Sequence, residues 1–551
     1  MADILISIKD YGAKGDGIAD DTVPIQRAIN EHRAVYVPPG VYRLSSPILL
    51  KQSYSAIVGD PTYPMFKIDP NRGPAIKIMA EGPNIVEWPR IENLYLSCDG
   101  MPSFSPTPNE NNCGLAITGM HANTEHAVQR AICRNLRIVG FSCGVYTSST
   151  VNTLLERIVI DGHTNDNNNR YVGFYFDGSR FPRSEGSSPQ ASIEVVNCMW
   201  SGPPPPSGVK STGSTGFFVA GEDPRDIFFD RCETSRGDFG WYIQPSSRAY
   251  NIDIHIRRPI IDGVGSCGIK ILDWAGYGAL SISGGYIVKA GVTDGAGVWV
   301  ENSQGVMIGD GIQILGLSNN SECDDGIRLY KSKSCAVNGA LFENCTYAIS
   351  VHASSNCSIV GNVVSAASGT LEQDTNFSQA IRVFGGSPLN TIVGNSITGA
   401  DGNHKYPIGI LVDNDCQWNI ISSNSIRPDT VEQPYVIRSV HSTLFGIQGE
   451  RTDIRALALS LISVGGQQVY QGNHLSTRTA TPGFRLWPGA LSSGAACAAA
   501  PPSMTQTNSR CTHCCWWNAA NAEHMLALRV NRANREWDAH WAWEARLRFM
   551  A

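Results

Sequence analysis

One short phrase recurs through most of this 551-residue chain: a small residue, an apolar residue, any residue and a second apolar residue. The small residues that open the phrase are Gly114, Gly144, Gly173, Gly216, Gly240, Gly268, Gly297, Gly326, Ala348, Ala380 and Gly409. Successive copies lie 30, 29, 43, 24, 28, 29, 29, 22, 32 and 29 residues apart, and the 43-residue step contains a proline run, 203–206, that we interpret as a loop insertion. A repeat of this length made of short strands cannot bury its own apolar face, so the copies must stack.

Each repeat also carries a second short apolar segment, often ending in a Gly-Asn turn, as in Ile359-Val360-Gly361-Asn362. Apolar alternation over four to six residues bounded by Gly, Asn and Asp is typical of strands. The predicted fold class is therefore all-β: a solenoid of parallel strands, most simply a right-handed parallel β-helix. Helical repeats are excluded because the pattern has no 3.6-residue period, and a propeller is a distant alternative because each blade needs four antiparallel strands.

Composition narrows the function classes. Hydrophobic residues make up 42% and charged residues 17% of the chain, and 55 of its residues are Gly, which excludes a disordered chain, a coiled coil and a helical bundle. The net charge of −6 argues against general nucleic-acid binding. The sequence has no apolar run long enough to span a membrane and no classical signal peptide at its N-terminus. Its 16 Cys are spread along the chain, and we interpret them as buried thiols.

The N-terminal segment predicts a cap on the open end of the solenoid. Asp20, Asp21 and Thr22 supply helix-capping side chains, and Pro24 suits a first helical turn. A short apolar helix face follows at positions 25, 28 and 29. Such a helix covers strand edges that would otherwise pair with other chains.

The stretch from Ile8 to Thr22 and the later Val35-Tyr36-Val37-Pro38-Pro39-Gly40 closely resemble the opening signature of the pectate-lyase-like superfamily. The signature covers residues 8–50, and the repeats extend the resemblance to about 430. It implies a right-handed β-helix and a carbohydrate-directed activity, since members include polysaccharide lyases, glycoside hydrolases, epimerases and phage tailspike depolymerases. The Asp-Pro-His-Glu motif of alginate epimerases and the paired aspartates of polygalacturonases have no match here.

The predicted domains are a cap and first coil (1–50), the β-helix (51–430), a small C-terminal β region (431–483) and an atypical tail (484–551) that is either disordered or helical. Residues 452–473 resemble the short β units that follow β-helices in phage tail proteins. The tail contains Cys511-Thr512-His513-Cys514-Cys515, but no second Cys pair at zinc spacing follows, so we predict no metal site there.

Strand alternation assigns the residues two and four positions after each small residue to the outside, where equivalent positions of successive coils form ladders about 4.8 Å apart. The first ladder is Ala116, Tyr146, Tyr175, Phe218, Tyr242, Lys270, Trp299, Arg328, Ser350, Arg382 and Leu411. The second is Thr118, Ser148, Asp177, Ala220, Gln244, Leu272, Glu301, Tyr330, His352, Phe384 and Asp413.

Aromatic and cationic side chains dominate the middle of the first ladder. Aromatic rings stack on the C–H faces of sugars, and Lys and Arg bind hydroxyls or carboxylates. The predicted substrate-binding residues are Tyr175, Tyr242, Lys270, Trp299, Arg328, Tyr330 and His352. The alternative is that loops cover this face and the rings pack beneath them.

Carboxylates near the ladders are candidates for acid–base chemistry. Asp273 and Glu301 lie on neighbouring coils and form the leading catalytic pair, since two carboxylates roughly 5–10 Å apart suit glycoside hydrolysis. Asp177 and Asp238 are further catalytic candidates, with Glu222 and Asp223 in reserve. For each of them a turn-capping or surface role is the competing interpretation.

A polysaccharide lyase needs a cation for the uronate carboxylate and a base for the adjacent ring proton. Lys270 and Arg328, with Tyr242, Tyr330 or His352, supply those groups, so the sequence leaves hydrolase and lyase open. No cofactor is predicted; calcium at Asp324-Asp325 or Asp413-Asn414-Asp415 competes with simple turns.

The predicted function is cleavage of a polysaccharide in a groove along the β-helix, and the partner is that polysaccharide rather than nucleic acid or a membrane. The missing signal peptide and the resemblance favour an extracellular or virion-surface phage tailspike depolymerase, for which the family implies a homotrimer. The alternative is a non-catalytic adhesin or structural spike.

Overall fold

The computed structural model describes residues 6–80, 85–99, 110–119, 127–162, 170–178, 191–203, 213–221, 224–245, 253–276, 278–288, 295–316, 325–365, 379–399, 406–427, 429–439, 441–445, 459–461 and 470–472. The chain divides into two units, 1–449 and 450–551. In the second unit the described residues form one antiparallel strand pair, Leu459–Leu461 and Tyr470–Gly472. The predicted tail, 484–551, lies outside the described residues.

The N-terminal cap forms as predicted. A 3₁₀ helix at Ile8–Tyr11 precedes the α-helix Thr22–His32, which buries Ile25, Ala28 and Ile29. The N-cap residue is Asp21, but the carboxylate of Asp20 is the one that binds the first helical residue, accepting hydrogen bonds from the amide and hydroxyl of Thr22 at 3.0 and 2.6 Å. Asp21 instead accepts from the amides of Lys14 and Gly15 at 2.7 and 3.0 Å, which ties the glycine-rich loop to the helix.

The described residues form two long parallel sheets, which we call the ladder sheet and the wide sheet. The ladder sheet has 14 strands and carries the recurring phrase: Ile48–Leu50, Ile76–Ala80, Cys113–Gly119, Cys143–Ser148, Val172–Gly178, Thr215–Gly221, Phe239–Pro245, Cys267–Leu272, Ala296–Glu301, Asp325–Tyr330, Tyr347–His352, Gln379–Phe384, Tyr406–Val412 and Val431–Ile437.

The wide sheet has 30 strands, with two consecutive strands in most coils. They are Ile6–Ser7, Asp16–Asp20, Ala34–Val37, Val41–Leu44, Ala56–Gly59, Met65–Ile68, Val86–Glu87, Arg90–Cys98, Val128–Gln129, Ile132–Val139, Thr150–Asp161, Ala191–Val196, Met199–Ser201, Ile227–Asp230, Glu233–Ser235, Ile254–Arg257, Ile260–Asp262, Leu280–Ser283, Tyr286–Val288, Val306–Gly309, Gln313–Leu315, Ala336–Asn338, Leu341–Glu343, Ser358–Val360, Val363–Ser365, Thr391–Val393, Ser396–Thr398, Ile420–Ser422, Ser425–Ile426 and Thr443–Phe445. This arrangement confirms the parallel β-helix.

The small residue of the recurring phrase is required by close approach between coils. A Cβ placed on Gly268 would lie 2.5 Å from the carbonyl oxygen of Gly297, and one on Gly297 would lie 2.6 Å from that of Gly326. A core side chain closes the other side, since the same Cβ on Gly268 meets Ile287 at 2.8 Å. Only a very small residue fits between these groups.

One continuous apolar core runs inside the coils from Ile8 to Tyr435. The described cysteines are all buried and free, which confirms their interpretation as core thiols: Cys98, Cys113, Cys133, Cys143, Cys198, Cys232, Cys267, Cys335, Cys345, Cys357 and Cys416. The Gly-Asn turns place their amides inside. Asn362 donates to Asn395 at 2.9 Å, and Asn395 donates to Asn424 at 2.8 Å, so polar groups buried at the corners satisfy one another.

The parallel coils continue past the predicted boundary at 430. Val431–Ile437 pairs parallel with Tyr406–Val412, and Thr443–Phe445 pairs parallel with Ile420–Ser422. The β-helix therefore extends to Phe445, because these two segments carry the same alternation as the coils before them. In the part of the chain that the structure describes, no helix is long and apolar enough to cross a membrane.

Candidate functional site

The first ladder exists in the register that the sequence predicts. Parallel pairing joins Tyr146 to Tyr175, Tyr175 to Phe218, Phe218 to Tyr242, Tyr242 to Lys270, Lys270 to Trp299 and Trp299 to Arg328, and then continues through Ser350 to Arg382 and Leu411. These side chains therefore form one line along the outer surface of the ladder sheet.

The N-terminal half of this line is covered. Tyr146, Tyr175 and Phe218 are 4, 5 and 7% exposed and form a second apolar cluster outside the main core. The rings of Tyr175 and Phe218 stack at 4.9 Å, and the guanidinium of Arg170 lies 4.7 Å from the Phe218 ring. For Tyr175 the covered-face alternative therefore holds, and its ring has no face open to a sugar.

The C-terminal half of the line centres on Trp299, which is partly exposed, as are Tyr242, Arg328 and Arg382, whereas Lys270 and Ser350 are 7 and 0% exposed. The Lys270 ammonium lies 3.2 Å from the centre of the Trp299 ring, and the Arg328 guanidinium lies 4.6 Å from it. Lys270 also forms an ion pair with Glu301 on the same coil as Trp299. Burial lowers the pKa of Lys270, and the hydrogen bond to Glu301 opposes that shift. The result is an indole flanked by two cations, one of which is paired with a carboxylate.

The two residues of the leading catalytic pair are backbone neighbours. The amide of Asp273 donates to the carbonyl of Glu301 at 3.1 Å, so the two residues lie on adjacent coils at the same edge. Asp273 has a left-handed backbone (φ 59°), and its carboxylate accepts from Asn302 at 2.6 Å. Burial raises the pKa of Tyr242; Arg170 opposes this, and both Glu301 and Asp273 add to it, so the tyrosine feels both carboxylates.

The other predicted carboxylates occupy structural positions. Asp177 accepts from the Tyr146 hydroxyl at 2.7 Å within the covered half of the ladder. Asp238 is 3% exposed, and its carboxylate accepts from the amide of Ser214 at 3.0 Å, across one coil. For both residues these contacts match the competing, structural interpretation. Glu222 and Asp223 lie outside the described residues.

A buried ionic network follows on the next coils, and sequence reasoning missed it. Asp325 is fully buried and receives Arg328, Arg382 and the hydroxyl of Ser350. The Arg382 guanidinium also lies 3.4 Å from the centre of the Tyr347 ring. The sequence already placed Arg382 in the first ladder. Asp325, however, comes before the small residue of its phrase, and strand alternation does not predict that the oxygens of Asp325 contact two arginines.

Aromatic rings of the second ladder lie beside this network. Tyr330 and His352 have ring centres 5.0 Å apart, and His352 stacks on Phe384 at 4.3 Å. Burial lowers the pKa of His352, and the nearby Arg382 and Arg328 lower it further. Tyr330 and His352 therefore lie where they were predicted, and Phe384 extends their row by one coil.

At the two calcium candidate sites, the described aspartates bind protein groups. The oxygens of Asp325 receive the arginines and the serine named above, and Asp413 accepts from the amide of Asn414 at 3.0 Å and from Arg438 at 3.3 Å. Within the described ranges, no three or more His, Cys, Asp or Glu side chains are grouped to hold a metal ion.

Two family models match different segments of the chain. Residues 5–95 match the family model described as rhamnogalacturonase A/epimerase, pectate lyase-like, and residues 278–437 match that of the periplasmic copper-binding protein NosD. In the described part of 278–437, no three or more His, Cys, Asp or Glu side chains are grouped to hold a metal ion.

Relatives and solved structures add to this picture. A 140-residue stretch, 24% of this chain, is 30% identical to the preneck appendage protein of Bacillus phage PZA and spans 15% of it. An 80-residue stretch, 12% of this chain, is 39% identical to a probable glucan endo-1,3-β-glucosidase of Arthroderma benhamiae and spans 9% of it. The crystal structure of pre-mature gene product 12 of bacteriophage phi29 superposes with a TM-score of 0.60 at 16% identity, over 78% of this chain and 57% of that one.

The chain thus covers less than two thirds of the length of each of these three proteins. The likeness in fold nevertheless spans most of the chain, and the pectate-lyase-like match falls on the segment that carries the predicted signature. With its stacked parallel coils, the chain is a parallel β-helix protein whose residues 5–95 match a pectate-lyase-like family model.

Proposed function

We propose that this protein binds a polysaccharide along the partly exposed half of the first ladder, from Tyr242 to Arg382, and cleaves it beside Trp299. The observation that carries the proposal is the indole of Trp299 between Lys270 and Arg328, with Glu301 paired to Lys270. Because successive coils lie about 4.8 Å apart, a sugar chain along this line meets one coil after another. Tyr175 is buried, so in this proposal its ring supports the partly exposed half by packing and does not stack on a sugar.

In the hydrolytic mechanism the two carboxylates take different roles. Glu301 is paired with Lys270, so it acts as a carboxylate that accepts a proton from water or attacks the anomeric carbon directly. Asp273 donates a proton to the glycosidic oxygen as the bond to the anomeric carbon breaks. The leaving sugar then carries that proton as a hydroxyl. Water supplies the hydroxyl on the anomeric carbon of the other product, and its remaining proton goes to Glu301 in the first route or to Asp273 when water breaks the bond to Glu301 in the second.

A lyase is the second candidate, and the state of Lys270 favours it. Burial lowers the pKa of Lys270, so its amine gives up a proton more readily and is able to act as a base. The amine would remove the ring proton next to a uronate carboxylate held by Arg328. The bond between the ring carbon and the glycosidic oxygen would then break, and that oxygen would take up a proton from water and leave as a hydroxyl. The product then has a carbon–carbon double bond in the ring.

The biological setting is proposed from the relatives. The matched appendage protein and gene product 12 belong to phages, which supports a virion-surface appendage, assembled as a homotrimer, whose target is a cell-surface polysaccharide. The match to a glucan glucosidase supports the carbohydrate substrate. A non-catalytic adhesin would use the same ladder for binding alone.

Purified protein incubated with a panel of capsular, pectic and fructan polymers separates these functions. New reducing ends indicate a hydrolase, absorbance of an unsaturated uronate indicates a lyase, and binding without fragments indicates an adhesin. Glu301→Gln and Asp273→Asn are expected to abolish hydrolysis while binding persists. Glu343→Gln, an exposed glutamate on the wide sheet, is the matched control. Full turnover in both site variants would remove the carboxylate pair from the mechanism.

A further inference from the structure

Two pairs of buried cysteines are stacked on neighbouring coils. Parallel pairing keeps one register before and after each cysteine, and this register aligns Cys198 with Cys232 and Cys335 with Cys357. The flanking partners are Val196 with Asp230, Met199 with Glu233, Lys333 with Ser355 and Ala336 with Ser358. The two cysteines of each pair therefore occupy equivalent positions on adjacent coils.

All four side chains point into the same apolar core. Each of these cysteines is 1% exposed and belongs to the continuous core inside the coils. Adjacent strands lie about 4.8 Å apart, and disulfides join Cα atoms that are about 4.4–6.8 Å apart. The spacing of the coils therefore meets the backbone requirement for a bridge within each pair, and both side chains of a pair lie on the same side of the wall.

The thiols of each pair also interact. The hydrogen bond between Cys335 and Cys357 raises the pKa of Cys335, as burial does, and it lowers the pKa of Cys357 against the effect of burial. Burial raises the pKa of Cys198, and the hydrogen bond with Cys232 adds to that shift. In the second pair Cys335 keeps its proton, so Cys357 is the sulfur that ionises first and acts as the nucleophile.

Other described cysteines lack one or both of these features. Cys113 and Cys143 are register partners in the second apolar cluster, but Cys143 acts on the pKa of Cys113 through its charge and not through a hydrogen bond. Two more cysteines lie opposite other residue types on both sides: Cys133 faces Ile91 and Leu155, and Cys267 faces Phe239 and Ala296. Register and thiol contact together thus single out two pairs.

We propose that Cys198 with Cys232, and Cys335 with Cys357, are sites of oxidative cross-linking, where a small disulfide such as oxidised glutathione converts two stacked thiols into a disulfide between neighbouring coils. The Cys357 thiolate attacks one sulfur of oxidised glutathione, the sulfur–sulfur bond of glutathione breaks, and one glutathione leaves as a thiolate. Cys335 then gives up its proton and attacks the sulfur of Cys357, which releases the second glutathione. Two protein thiols are oxidised, one glutathione disulfide is reduced to two thiols, and the two protons end on those thiols.

Each bridge would tie one coil covalently to the next. A cross-link restricts the unfolded chain, so the oxidised protein resists unfolding more than the reduced protein does. The thiols are reached when the coils open locally, since they are buried in the folded state. This chemistry does not depend on whether the protein binds or cleaves a polysaccharide.

The experiment exposes the reduced full chain to oxidised glutathione a few degrees below its melting temperature. The protein is then denatured, its remaining free thiols are alkylated, and unreduced peptides are mapped by mass spectrometry. Peptides that join Cys198 to Cys232 and Cys335 to Cys357 are expected, whereas Cys133 and Cys267 are expected to carry the alkyl group. The melting temperature is expected to rise by a few degrees on oxidation and to return with dithiothreitol.

Single variants test each bridge. Cys335→Ala is expected to leave Cys357 alkylated while the first bridge still forms, and Cys198→Ala is expected to have the converse effect. Cys267→Ala, a buried cysteine opposite Ala296, is the matched control and is expected to keep both bridges. Alkylation of all four paired cysteines in the oxidised wild type would overturn the proposal, and so would cross-links spread equally over the unpaired cysteines. The wild-type map decides this even where a variant does not fold.

Discussion

Removing the carboxylate of Asp325 gives the sharpest test of the site's ionic network. Asp325 is fully buried, while the side chains of Arg328 and Arg382 that it pairs with are 16 and 20% exposed. Asp325→Ala leaves two guanidinium groups close together without their shared counter-charge. Breaking a buried ion pair from one side costs about 3–5 kcal/mol, because the remaining charge is both unpaired and poorly hydrated.

That cost fixes the expected size of the effect. At a tenfold change for about 1.4 kcal/mol, an opening free energy lower by about 3–5 kcal/mol speeds local exchange by roughly 10²- to 10⁴-fold. Hydrogen exchange with mass spectrometry, read on peptides that contain strands Asp325–Tyr330 and Gln379–Phe384, measures this directly. Asp325→Asn keeps the side-chain volume and isolates the effect of the charge.

A matched control uses an ion pair on the surface. Arg427 and Asp429 lie 2.9 Å apart with side chains 53 and 60% exposed, so Asp429→Ala is expected to cost about 0–1 kcal/mol. Suppose that Asp325→Ala speeds hydrogen exchange in its own strands no more than Asp429→Ala speeds it in the last coils. The interpretation of Asp325 as the buried counter-charge of the two arginines would then be wrong.

Three further outcomes follow from the described contacts. Trp299→Ala is expected to weaken binding of the substrate polysaccharide by roughly tenfold or more in titration calorimetry, whereas Trp418→Ala, 53% exposed on a later coil, leaves it unchanged. Gly309→Ala is expected to destabilise the protein by about 3 kcal/mol in urea titrations, because the new Cβ would lie 1.8 Å from the Asn338 carbonyl oxygen. Gly361→Ala is the control: its Cβ would have no atom within 4 Å, so only the strain of a φ of +66° remains, and it should cost about 1 kcal/mol. Partial burial raises the pKa of Asp20, but hydrogen bonds from Ser45 and Thr22 outweigh it and lower the pKa to about 2. Because the pKa of Asp20 is lower in the folded state, the ionised carboxylate stabilises the folded cap at pH values above its unfolded pKa near 4, and this contribution disappears as the pH falls to about 2. Asp20→Asn should remove that part of the dependence of the melting temperature on pH. A melting temperature that falls with acid in the same way in the variant and the wild type would contradict this.

The outer ladders were predictable from the sequence because strand geometry is strictly periodic. Once Gly268, Gly297 and Gly326 are aligned, a two-residue period assigns Lys270, Trp299 and Arg328 to the outside, and parallel register places them in line. The neighbouring Asp273 and Glu301 follow from the same alignment. No long-range information is needed, since each coil repeats the rule of the one before.

The covered half of the ladder shows where that reasoning stops. Tyr175 and Trp299 occupy equivalent positions in the phrase, yet Tyr175 is 5% exposed while Trp299 remains partly open. The two-residue period predicts which side of the sheet a side chain points to. Whether that side chain is buried depends on which distant parts of the chain pack against the same side.

The amino-acid sequence by itself determined the parallel β-helix, its capping helix and the line of side chains on its outer surface, because all three arise from local periodicity and from stacking of like repeats. Tertiary structure alone decided which part of that line is accessible, that Asp325 lies between Arg328 and Arg382, and that Lys270 pairs with Glu301. Those features depend on rotamers, on desolvation and on contacts between coils. A two-residue period carries no information about any of them.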